Sequence, residues 1–142
     1  MKKIIFFTIL ALLLFNSTCT SPESPDEEDL LEPDYSGSWS GTTSQGKSIS
    51  FTIVDNAITR FSFEFEWTSG TGCSVAGTVS NDYATPLPIS GNTFTISGSI
   101  PDLSYTFTGT FPSATTANGT SNLTASGTCP STASPTWSAN KS

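Results

Sequence analysis

Histidine is absent from this 142-residue chain, and with it go the commonest general base at neutral pH and the commonest metal ligand. Ser-His-Asp hydrolysis, Cys-His nucleophiles and histidine-bound zinc are therefore excluded. Charge is scarce as well. Asp, Glu, Lys and Arg make up 12 % of the residues, about half the usual share of a soluble domain. Basic residues number 5 and form no patch, which argues against nucleic acid as a partner. No apolar run approaches the roughly 20 residues that carry a helix across a bilayer. The length suits one folded domain, and no long-period repeat suggests a solenoid.

What the chain does contain is first an export signal. Lys2 and Lys3 precede an apolar run from Ile4 to Phe15, broken only by Thr8, and small polar residues then lead to Cys19. Residues 1–18 thus read as a signal peptide. The stretch Leu14-Phe15-Asn16-Ser17-Thr18-Cys19 resembles the lipobox of bacterial lipoproteins, with Asn16 in place of a branched apolar residue and Thr18 in place of Gly, Ala or Ser. That resemblance implies acylation of Cys19 and membrane contact through its lipid, since two or more acyl chains hold a protein stably where one does not.

Residues 19–34 read as an acidic tether. Glu23, Asp26, Glu27, Glu28, Asp29, Glu32 and Asp34 have no base among them, and Pro22, Pro25 and Pro33 oppose helix. The tether takes most of the negative charge; from Tyr35 onward, Lys47, Arg60 and Lys141 stand against Asp55, Glu64, Glu66, Asp82 and Asp102. The overall charge of −7 therefore signals no acidic binding face. An acidic run behind the modified cysteine also resembles the signal that sends some lipoproteins to the cell exterior. The expected location is the cell envelope, lipid-anchored, at the outer membrane or cell surface.

Residues 35–142 predict an all-β domain, because apolar residues alternate strictly and nowhere recur at helical spacing. Ile49, Phe51 and Ile53 form one inward row; Phe61, Phe63, Phe65 and Trp67 form another; Phe94 and Ile96, then Tyr105, Phe107 and Phe111, form two more. Trp39, Val75, Val79, Ile100, Leu123 and Trp137 complete the predicted core. About seven or eight antiparallel strands in a single meander suit a flattened barrel or a β-sandwich. Glycines inside the alternating runs predict bulges or bends. A two-residue turn at Asp55-Asn56 with unbroken pairing would set core Phe51 opposite Arg60. One extra residue, in a longer loop or a bulge near Thr59, restores Phe51 opposite Phe61 and Ile49 opposite Phe63.

Cys73 and Cys129 remain once Cys19 is set aside, and in an exported domain they are expected to pair as a disulfide. No CxxC and no D-x-D-x-D-G run points to a redox centre or a calcium loop, so no metal and no cofactor are expected. Glu64 and Glu66 lie about 6.5 to 7 Å apart on one strand face, near the spacing of glycosidase carboxylates. They share that face with Arg60, however, and read as a solvated charged edge. Asp55, Asn56, Asn81, Asp82, Asn92 and Asp102 read as turn residues. Ser and Thr make up roughly a third of the chain and give hydroxyl-rich outer faces suited to strands. Trp39 and Trp137 are the candidate ligand-binding residues, at a barrel mouth.

Gly37-Ser38-Trp39 resembles the Gly-x-Trp start of lipocalins and avidins. That resemblance implies an up-and-down barrel whose first and last strands meet, with Lys141 placed to cover Trp39. The segments YSGSWSGTTSQGKSISFTI, FPSATTANGT and TWSANK are similar to a small module of bacterial secreted and surface proteins. The resulting expectation is a non-catalytic envelope lipoprotein whose β-domain binds a carbohydrate, an envelope component or a protein partner. The alternatives are a calycin-like carrier of a small apolar ligand and an envelope enzyme inhibitor that inserts a loop such as Ser80–Pro88. Thiol labelling of the folded chain without reductant should leave Cys73 and Cys129 unmodified.

Overall fold

The computed structural model describes residues 32–142; the signal segment, Cys19 and the tether up to residue 31 lie outside the described residues. The elements are β1 (Gly37–Thr43), β2 (Ser48–Val54), β3 (Ala57–Thr68), β4 (Ser74–Pro88), β5 (Thr93–Ile100), β6 (Leu103–Ser113), β7 (Thr116–Ala125), β8 (Ser131–Ala133) and β9 (Thr136–Lys141). They form one antiparallel sheet in the order β4-β3-β2-β1-β9-β7-β6-β5, with β8 beside β7. β8 and β9 continue the same register on β7, with Thr124 opposite Thr132 and Thr120 opposite Thr136. They act as one strand interrupted at Ser134-Pro135. Pro135 has no N–H for a ladder, and its carbonyl instead accepts both the N–H and the hydroxyl of buried Ser121, at 3.0 and 2.9 Å. The result is an eight-stranded up-and-down barrel, nearly closed, with first and last strands paired and the Trp39–Lys141 register in place.

The first hairpins follow the alternation. Ile49 pairs with Phe63 and Phe51 with Phe61, and the register shifts by one at Thr59. Asp55 and Asn56 both have positive φ, 50° and 54°, as a two-residue type I′ turn requires. A tight turn and a bulge therefore coexist, and the bulge keeps both aromatic rows inside. The β5–β6 turn places Pro101 ahead of Asp102 at φ 61°, the arrangement of a type II turn.

The interior is ring on ring. Phe63 of β3 meets Phe107 of β6 at 4.4 Å between centroids, Trp39 of β1 meets Phe111 of β6 at 5.1 Å, and Phe51 of β2 meets Phe94 of β5 at 5.7 Å. Because strands on opposite walls touch through these rings, the barrel is flattened and filled. Tyr35 stacks on Phe111 at 4.3 Å and closes one end. The core also takes Ile58 and Leu103, which alternation alone did not single out, whereas Ile100, expected inside, is 41 % exposed beside the Pro101 turn.

The in-strand glycines do not mark bulges. Gly77, Gly98, Gly109 and Gly119 pair directly with Phe65, Tyr105, Phe94 and Trp137. A Cβ there would fall 2.9, 2.4, 2.2 and 2.6 Å from the respective partner side chains. The missing side chain is the seat of the cross-strand ring, an aromatic–glycine pairing that holds register. The actual irregularities fall at Thr52/Ile53, Ile58/Arg60 and Thr110/Ser113.

The disulfide is formed between Cys73, just before β4, and Cys129, just before β8, with Cα atoms 6.0 Å apart and a sequence separation of 56. A loop of that length corresponds to about 4 kcal/mol in the chain-entropy account. Gly109→Ala should destabilise the fold by about 1–3 kcal/mol through displacement of Phe94. Gly70→Ala, with nothing near its Cβ position, should be neutral or slightly stabilising; paired denaturant titrations measure both.

Candidate functional site

The barrel is not zipped along the β4–β5 side. A single bridge, Ser90 opposite Thr93, joins the two strands at their connecting turn. Pro86 and Pro88 occupy the adjoining part of β4 and supply no N–H to β5. β4 also bends there, passing from Asp82 opposite Arg60 to Leu87 opposite Ile58. The two strands therefore diverge from the turn toward the disulfide end. Midway, Asn81 bridges the seam by donating its amide to the Tyr105 hydroxyl at 2.9 Å, over the bare backbone of Gly98.

At the wide end lies a groove of about 350 Å³. Phe65, Val75 and Leu103 form its apolar floor, the Ile100–Asp102 turn makes one wall, and Ser126–Cys129 makes another. The β3–β4 ladder fixes which backbone groups of β4 face the groove. Ser69 N–H donates to Cys73 C=O at 2.8 Å, so alternate pairs from there, Trp67–Val75, Phe65–Gly77 and Phe63–Val79, exchange the ladder bonds. Ser74, Ala76, Thr78 and Ser80 then aim N–H and C=O outward along the seam. Phe65, expected in the core, is buried there and also floors the groove, whereas Val75 is partly buried against the core. The open edge has a sequence signal: β4 runs uncharged and proline-free from Ser74 to Asn81, unusual for an edge.

The residues expected to line a mouth are inside. Trp39 is 1 % exposed and donates its indole N–H to Tyr35 C=O at 2.9 Å. Trp137 is 3 % exposed, packed against Phe94 at 6.0 Å, and its buried Nε1 has no protein partner. Lys141 runs along Gly37 and donates to Asp34 C=O at 3.2 Å. Residues Ser80–Pro88 form no plugging loop; they belong to β4 and pair with β3. Asn81 and Asp82 are likewise strand residues, tolerated because Asn81 holds Tyr105 and Asp82 accepts from Arg60 Nε at 2.6 Å.

On the outer face of β3, Lys47 bonds Glu66, and this contact holds the Glu66 carboxyl below its ordinary range and lifts Lys47. Hydrogen bonding from Ser48 lowers Glu64 in the same way. Both carboxylates are thus kept ionised on an exposed face. The remaining outer surface is a lattice of hydroxyls and amides. Thr95, Thr108, Thr120 and Thr136 form one row across four strands, and Thr93, Thr110, Asn118, Ser138, Thr42 and Ser48 form another. Among the described residues, no three acidic or sulfur side chains gather as a metal site would require.

Burial pushes the Tyr83 phenol up, helped by nearby Tyr105 and opposed by Asn81. The Asn81 amide bonds the Tyr105 hydroxyl, and the buried Tyr83 hydroxyl has no well-formed hydrogen bond among the described residues. A phenol raised in the folded state contributes fully below the unfolded value near 10, and that contribution is lost as pH climbs from there through the raised value. Tyr83→Phe should be near-neutral at pH 7 and should lose less stability than the parent above about pH 10, as read by pH-resolved thermal denaturation.

No protein-family model matches the chain, and no curated protein matches it. Among solved structures, one described as EF1p2_mFAP2b bound to DFHBI aligns at a TM-score of 0.42 and 12 % identity, covering 76 % of this chain and 94 % of its own. The barrel architecture of the present chain stands on its own ladders.

Proposed function

We propose that this chain is a non-catalytic, lipid-anchored envelope protein that binds its partner on the outside of the barrel. One observation carries the reading: rings from opposite walls meet in the middle, as Phe63 and Phe107 do at 4.4 Å, so the interior is occupied by the protein itself. A carrier of a small apolar ligand needs an interior space of some hundreds of Å³. The open groove and the hydroxyl lattice are instead external. The signal-like start and the lipobox-like stretch at Cys19 support export and anchoring, and the acidic tether supports a position at the outer membrane or cell surface. A carbohydrate, an envelope component or an envelope protein are the partners this reading admits.

The geometry of the described domain suits such a role. Residues 32–36 enter β1 at the Tyr35 end, where Tyr35 N–H donates to Asn56 Oδ1 at 2.8 Å. The antiparallel strands run from there to the disulfide end, roughly 25 Å away for seven residues of strand. The groove therefore lies at the end of the domain opposite Tyr35. Native mass spectrometry of the chain extracted from membranes should give the mass from Cys19 onward plus covalent acyl groups, with no further small-molecule adduct. A stoichiometric, non-covalent lipid released on unfolding would establish the carrier reading instead.

A further inference from the structure

We propose that the free edge of β4 between Ser74 and Ser80 takes up an extended peptide segment of a partner protein as an added strand, apolar at alternate positions and carrying one basic side chain. The inference rests on the outside-binding reading above and names its partner. Strand addition needs a row of unused backbone donors and acceptors next to pockets for alternate side chains. Ser74, Ala76, Thr78 and Ser80 provide the row, since the neighbouring odd-numbered residues spend theirs on β3. The groove provides the pocket, with Phe65, Val75 and Leu103 beneath the edge and Ile100 exposed beside it.

Edges left open on soluble proteins are ordinarily guarded by lysine, proline or a bulge. On β4 those devices appear only beyond the groove, at Asp82, Pro86 and Pro88. Charge identifies the occupant further. Asp102 is the one charged residue lining the groove, and the three basic side chains of the described domain are engaged elsewhere: Lys47 with Glu66, Arg60 with Asp82, Lys141 with the Asp34 carbonyl. A basic side chain of a bound segment would find Asp102 without competition from these three. A second copy pairing through its own β4 edge would bring no basic residue between Ser74 and Asn81, so the charge favours a foreign segment.

The test is panning of a random heptapeptide phage library against the full chain, followed by binding of the enriched peptides in solution. The expected result is enrichment of alternating apolar sequences with one Lys or Arg. Ala76→Pro deletes one seam-facing N–H and leaves the β3 ladder intact, and should weaken those peptides about tenfold or more. Ile100→Glu, on a side chain already exposed, gives a second reading should Ala76→Pro fail to fold. Asp102→Asn should remove the preference for a basic residue while keeping the apolar alternation. Absence of enrichment, or binding indifferent to both groove variants, would overturn the inference. So would a dimer in light scattering that Ala76→Pro or Ile100→Glu dissociates, which would assign the edge to a second copy. Retention on a glycan array with no peptide selected would sink strand addition yet leave outside binding standing, whereas a bound interior lipid would remove both.

Discussion

Keeping a large area of aromatic ring away from water inside a small, helix-free shell is the constraint on which everything else in this domain depends. Each buried ring withdraws about 150–250 Å², and rings from opposite walls meet and fill the middle. The solution is size complementarity across the flattened barrel. Phe94 and Trp137 are seated over Gly109 and Gly119, and small Ala117, Ser121 and Ala139 are buried among the same inward rows as the large rings. The glycines act as sockets, and the close fit makes each ring's register matter. The same packing leaves the interior filled, because the walls touch.

The seam is the second consequence. Eight strands with a filled middle need not close, provided the edges are held near one another by something other than a ladder. Here the Ser90–Thr93 bridge joins β4 and β5 at their turn, the Asn81–Tyr105 bond ties β4 to β6, and the Cys73–Cys129 disulfide ties the start of β4 to the segment before β8. Pro86 and Pro88 keep β4 from zipping onto β5. What results is a wedge that is narrow at the turn and open beside the disulfide, with unused main-chain groups along one side. The disulfide anchors the start of β4 to the wall opposite, so the wide end has a defined shape.

The outer surface divides by chemistry. Charged pairs are confined to β3, β4 and the turn before β2, where Arg60–Asp82 and Lys47–Glu66 lie. The faces of β5, β6, β7, β9 and β1 are hydroxyl and amide almost throughout. Cross-strand bonds such as Thr108–Thr120 at 3.0 Å and Ser97–Thr106 at 3.1 Å tie neighbouring strands without charge. Exposed sheet is thereby kept soluble, and its β-branched threonines reinforce the strands they decorate.

The sequence by itself determined the all-β class, the inward rows and the hairpin register. Side-chain alternation has period two, and a one-residue slip would have put Phe51 against Arg60. It also pointed to the cysteine pairing, once Cys19 is set aside on its lipobox-like setting. Only the tertiary structure decided that the in-strand glycines seat rings, that Ser80–Pro88 is strand, and that the barrel stays open between β4 and β5. Each of these depends on which residues from distant strands meet across the fold. Local periodicity fixes the face a side chain takes, whereas contact between Phe63 and Phe107, or between Asn81 and Tyr105, arises only when the sheet has coiled upon itself.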